Sequence, residues 1–260
     1  MNVTTRIPPP GMAEAEWQTR CDLAALYRLL AHFRMTDHID THISARIPGP
    51  EHHFLINQYG VLFEHMRASD LVKIDLHGKI IDQDAQGTKL VNEAGFVIHS
   101  AIHAARPDLT CVIHTHTAAG IGVSAQAHGL LPISQHALKF YGCLSYHGYE
   151  GVALDLDERP RLVADLGPSN KAMILANHGL LAAGATIPEA FVEITFLERA
   201  CQAQIAALSG NSKLIFPPED VCRRTAAQMD PPEPHRSAYV KLSWTAALRL
   251  IENGATDYRG

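Results

Sequence analysis

The sequence has no CxxC pair: its five cysteines, Cys21, Cys111, Cys143, Cys201 and Cys222, are an odd number set wide apart. Such spacing offers no disulfide framework and suits reduced thiols, as in a cytoplasmic protein. Positive charge is also scarce, with 22 lysines and arginines against 27 acidic residues and a net charge of −5. Without a basic surface to hold phosphate backbones, nucleic-acid binding is not expected. No apolar run approaches a membrane span, and the opening MNVTTRIPPPGM lacks the apolar centre of a signal peptide. A soluble, cytoplasmic protein without a membrane partner is the expectation. Repeats and low-complexity tracts are missing too.

Histidine, by contrast, is abundant, with 16 among 260 residues. It is the commonest metal ligand and titrates near neutral pH, so the excess raises the prospect of a metal site. In CVIHTHTAAG an apolar run ends on His114 and His116. Residues two apart on a strand leave from the same face, so both imidazoles can serve one cation. The bland alternative is a polar strand end meeting solvent. A third ligand is offered by His178 in LANHGLLAAG, again after an apolar strand and before a glycine. Strand ends of an α/β sheet are where binding groups gather. Three imidazoles suit zinc first, with iron or manganese as alternatives.

Other histidines read differently. His99 and His103, one helical turn apart in VIHSAIHAA, can chelate but sit on a largely apolar helix and are taken as packing residues. His52, His53, His65, His77 and His128 lie among polar or turn residues and are expected at the surface. His147 lies in SYHGYEG with Tyr146, Tyr149 and Glu150, a cluster that either lines a pocket or makes an ordinary loop. Glu93, in LVNEAGF, stands just before a helix. A carboxylate there can act as general acid/base beside a metal, or simply favour the helix N-terminus.

Apolar spacing predicts a first helix in AEAEWQTRCDLAALYRLLAHFRM. Short strands and a hairpin follow in HFLINQYG and LVKIDLHGKIID. A helix runs from about Ala94 and stops before Pro107, and LTCVIHTH is a buried strand. KAMILANHGLLAAG reads as a strand entering a glycine turn. TIPEAFVEITFLERACQAQIAALSG carries a capping-box spacing at Thr186 and Glu189, Pro188 in its first turn and Gly210 at its end. FPPEDVCRRTAAQMDPPEPHRSAY reads as an arm or lid before a last helix, YVKLSWTAALRLIEN. Mixed elements with no long linker favour one α/β domain over residues 1–260, with a lead-in at 1–17 and a C-terminal arm and helix at 211–260.

These stretches, with THISAR, FLINQYGVLF, GLLPIS, YHGYEG and LGPSNKAMILANHGLLAAG, resemble the class II aldolase and adducin head-domain family over roughly residues 18 to 210. The resemblance implies a three-layer α/β/α domain around a predominantly antiparallel sheet. It also implies a homotetramer with sites at subunit interfaces, and a divalent metal held by His114, His116 and His178. In the family's aldolases zinc stabilises an enediolate of a sugar phosphate while a glutamate moves protons. Counted back from RPD, that glutamate's position falls on Gly95, with Glu93 two residues earlier where a phosphate-binding serine is expected. A carboxylate there repels a phosphate dianion. The phosphate turn reads DTHIS, leaving Thr41 and Ser44 as donors and His42 in place of asparagine.

The AGF turn and HSAIHAARPD bring the chain closer to adducins, whose cytoskeletal contacts depend on a basic tail; IENGATDYRG carries no lysine-rich block. The leading expectation is a metal-dependent aldolase-type lyase acting on a small hydroxy-carbonyl compound that need not bear phosphate. Glu93 is its acid/base candidate, with Tyr146 or His147 as substitutes and as substrate contacts beside Thr41 and Ser44. A non-haem iron oxygenase of the same family and a non-catalytic adducin-like scaffold stand as alternatives.

Overall fold

Apolar residues at helical spacing produce α1 (Glu14–His32), whose buried face includes Trp17, Leu23, Tyr27 and Leu30. This computed structural model describes residues 7–82, 87–152, 155–252 and 257–260. Residues 1–6 of the lead-in and 253–256 of the closing stretch lie outside the described residues.

One sheet organises the chain. Its strands are β1 (His42–Arg46), β2 (Phe54–Ile56), β3 (Val72–Ile74), β4 (Cys111–Thr115), β5 (Leu144–His147), β6 (Ala172–Leu175) and β7 (Gly179–Gly184), in the order β3-β2-β1-β4-β7-β6-β5. Every neighbouring pair is antiparallel except β5 with β6. The expected predominantly antiparallel sheet is present.

Helices cover both faces, giving three layers. On one face lie α2 (Glu93–Ala105) and α5 (Arg159–Leu166), burying Ile98, Ile102, Leu162 and Leu166 against Val112, Met173 and Leu181. On the other, α1, α3 (Ala118–Ser124) and α6 (Ile187–Ser209) bury Leu26, Val123, Ile194 and Leu197 against Ile43, Ile113 and Leu180. Alternation along β1 and β4 then fixes the polar side chains. Ile43 and Ala45 belong to the α1–α6 core, so His42 and Ser44 face α2; His114 shares the α2 face with Val112.

The helix ends follow local chemistry. Asn92 caps α2 by accepting from Ala94 N, and Thr186 caps α6 by accepting from Glu189 N. Glu189 returns a bond to Ala185 N, one residue before the reciprocal partner that the spacing suggested. The glycine turn expected within KAMILANHGLLAAG spans 176–178, and GLLAAG after it is strand β7. The arm contains two helices, α7 (Glu219–Met229) and α8 (His235–Leu248), after the short α4 (Gln135–Leu138) is packed against α6. Trp244 and Leu248 of α8 enter the core beside Phe191 of α6. All five cysteines stand unpaired.

Candidate metal centre

Strand β4 delivers His114 from its buried interior and His116 one residue beyond its end, while the turn between β6 and β7 delivers His178. That turn is tight for a local reason. Asn177 takes a left-handed φ of 54°, which asparagine tolerates, and a Cβ on Gly179 would stand 2.3 Å from the Thr115 carbonyl oxygen. Only glycine lets this turn close onto β4 and bring His178 to the other two imidazoles.

The Nε2 atoms converge: His114 to His116 is 2.7 Å, His116 to His178 is 3.0 Å and His114 to His178 is 3.2 Å. His114 is fully buried, and the other two are partly exposed. The opposite ring nitrogens decide what this means. His114 Nδ1 is 3.0 Å from the Leu180 carbonyl, which only accepts, so Nδ1 carries the proton and Nε2 a bare lone pair. His116 Nδ1 lies 3.4 Å from Asp37 Oδ2, which places a carboxylate behind this ring.

Burial holds the His114 imidazole well below the usual histidine range, and burial with the neighbouring His116 pulls His178 down to about 4. Neutral imidazoles with converging lone pairs repel one another unless a cation lies between them. Nitrogens bound at 2.0–2.1 Å to a tetrahedral cation stand about 3.3 Å apart, and the separations of 2.7, 3.0 and 3.2 Å approach this from below. A carbonyl and a carboxylate behind two of the three rings are the usual support for ligating histidines. The residues present therefore fit a divalent metal. Among the described residues, no other histidine, cysteine or acidic cluster offers comparable convergence.

The remaining candidates scatter. Tyr146 is half-exposed, its hydroxyl accepting from Leu130 N, and it lines a cleft of about 480 Å³ with Val123, Gln126, Ile174 and Asn177, the neighbour of His178. Its strand neighbour His147 points the other way and is buried, held by Asp165 at 2.7 Å and Glu158 at 3.2 Å, and it clamps β5 to the α5 side. Ser44 is fully buried with its hydroxyl taken by His99 and His103. It has no free edge for a substrate in this chain. Thr41 is also fully buried, and its hydroxyl has no partner among the described residues.

Glu93 is exposed at the head of α2 and lines a cleft with His77, Lys89 and Phe96, outside the three-histidine group. The carboxylate that does touch the group, Asp37, comes from the loop after α1, and no local pattern marks it. His42 was equally hidden. It lies directly across β1–β4 from His114, a relation that only strand register reveals.

A family model described as class II aldolase and adducin N-terminal domain matches residues 21–205. A solved structure of an aldolase II superfamily protein from Pseudomonas syringae is 52% identical, with a TM-score of 0.90 over 96% of this chain and 98% of that one. L-fuculose 1-phosphate aldolase from Glaciozyma antarctica PI12 is 29% identical, with a TM-score of 0.81 over 98% of each chain. Alpha-adducin of Rattus norvegicus is 45% identical over 190 residues, which are 73% of this chain and 26% of the adducin.

Proposed function

Because this chain belongs to the class II aldolase and adducin N-terminal domain family, we propose that it is a metal-dependent lyase of the aldolase type. Its substrate would be a small hydroxy-carbonyl compound whose carbon–carbon bond it cleaves. The observation that carries the reading is the convergence of three Nε2 atoms, two of them on partly exposed rings. His114, His116 and His178 would hold the metal, zinc first by donor type. Bound there, a divalent cation supplies Lewis-acid stabilisation of negative charge on substrate oxygens.

The chain's own groups prepare that chemistry. The Leu180 carbonyl holds His114 in the tautomer that presents a lone pair to the site, and Asp37 stands behind the His116 ring. Tyr146, on a cleft that reaches Asn177 but that none of the three histidines lines, is the proposed contact for the rest of a small substrate. A homo-oligomer is part of the same reading. Ile215, Phe216 and Leu242 of the C-terminal segment are exposed apolar residues that a partner copy would cover.

The test is aldol cleavage by the metal-loaded full chain over a panel of hydroxy-carbonyl compounds with and without phosphate. Carbonyl release that a chelator abolishes and added zinc restores supports the lyase. One observation favours a second reading, a non-catalytic scaffold: no carboxylate of α2 enters the histidine group, and Gly95 stands where one would be carried. Full metal occupancy with no cleavage of any panel member would favour the scaffold.

A further inference from the structure

Behind the three converging rings lies a second run of imidazoles that the proposed lyase chemistry does not use. His42, His99 and His103 are 2%, 0% and 1% exposed. His42 Nδ1 lies 2.7 Å from His99 Nε2; His99 Nδ1 meets Ser44 Oγ, which in turn lies 2.7 Å from His103 Nε2. Burial holds all three rings well below the ordinary histidine range, His103 at about 3, so each is neutral with one donor and one acceptor nitrogen. Donation in either direction along the row satisfies its three contacts. A buried polar row of this length carries a desolvation cost that apolar side chains of the same volume would avoid. What it achieves is a fixed ring at its end.

That ring is His42, and it is fixed against a ligand. His42 is the β1 partner of His114 on β4, and the two rings pack with centroids 4.9 Å apart and planes tilted by 33°. Helix α2 holds it from the other side. Gly95, His99 and His103 recur every four residues and so share one helix face. At Gly95 the face is a notch: a Cβ there would stand 2.8 Å from His42 Cδ2 and 2.9 Å from Cγ. Any larger residue must push the His42 ring, and the ring has His114 behind it.

We propose that His42 is a positioning residue for the metal ligand His114, clamped by the His99–Ser44–His103 row and admitted by the notch at Gly95. Helix α2 thereby sets the orientation of a ligand it does not carry. The assignment rests on the metal reading of the three converging histidines.

The experiment loads the full chain with Co(II) and follows its visible ligand-field spectrum and its affinity by titration. Gly95→Ala should shift the spectrum and weaken cobalt binding by about tenfold, the lower end of what loss of a supporting residue costs. His42→Ala should weaken it comparably, and Gly95→Ala added to His42→Ala should change affinity by less than about twofold, because the effect travels through the ring. If Gly95→Ala does not fold, His99→Phe keeps a ring but removes the partner of His42 Nδ1, and carries the same expectation. Cobalt bound with unchanged spectrum and affinity in these variants overturns the positioning role, as does a Gly95→Ala effect that persists without His42. A wild-type chain that takes up no cobalt overturns the metal reading first, and this assignment with it.

Discussion

The Nδ1–H of His114 donates to the Leu180 carbonyl at 3.0 Å, and this bond decides which nitrogen the ring turns toward His116 and His178. Since β7 supplies the carbonyl and β4 the histidine, the tautomer is set by sheet pairing. Elemental analysis should find about one equivalent of divalent metal per chain, and His114→Ala and His178→Ala should each lose it. Chelation should lower the melting temperature of wild type and leave both variants unmoved. At free metal a hundredfold above its dissociation constant the stabilisation is about 2.7 kcal/mol. A wild-type chain that takes up neither zinc, iron nor manganese would sink the metal centre.

Buried neutral histidines also set an acid limit on folding. His103 is held at about 3 by burial, with Arg46 adding to the effect, while an unfolded histidine titrates near 6.5. The folded form stays unprotonated where the unfolded chain gains a proton, so stability is full above about pH 6.5 and falls as pH drops toward 3. His42 and His99 are shifted in the same direction by burial first and neighbouring imidazoles second. Each contributes a slope of up to about 1.4 kcal/mol per pH unit well below 6.5. Urea unfolding of metal-free protein at pH 7.5, 6 and 5 should show this fall, and His103→Phe should make it shallower. A flat profile would mean that the row opens to water.

Gly179→Ala tests the turn that brings His178 home. Its Cβ would meet the Thr115 carbonyl oxygen at 2.3 Å, and both contact partners are backbone-fixed, so β4 and β7 must separate locally. Overpacking of this kind costs about 1–3 kcal/mol, and the strain falls between two proposed ligands. Loss of metal together with a lowered urea midpoint is expected. Wild-type metal content in Gly179→Ala would show that the turn tolerates displacement.

Much of this was readable locally. Periodicity and capping residues marked α1, α2 and α6, and the two-residue spacing of His114 and His116 followed by the Asn177–Gly179 turn marked three converging residues. Strands β1 and β5 were harder, because they are only five and four residues long and His42, Ser44, Ser145 and His147 meet buried polar partners instead of an apolar core. Ser44 stood as a substrate donor through resemblance to the family's phosphate turn, and the two imidazoles that take its hydroxyl lie 55 and 59 residues away. His99 and His103 did pack inside, as expected, yet their role as a hydrogen-bonded row depends on the β1–β4 register, which no local pattern encodes.

Glu93 provides the sharpest separation of sequence expectation from geometry. It opens α2 two residues before Gly95, and at about 100° per residue its side chain leaves the helix about 200° away from the notch that faces His42. The carboxylate lines the cleft with His77, Lys89 and Phe96 instead. Glu93→Gln should therefore keep full metal content. It should also keep cleavage within about threefold of wild type, whereas removing a working general acid/base costs about 10²–10⁴-fold. A loss on that larger scale, with metal retained, would return proton transfer to Glu93 and require a partner copy or a substrate-bound rearrangement to carry it to the histidines.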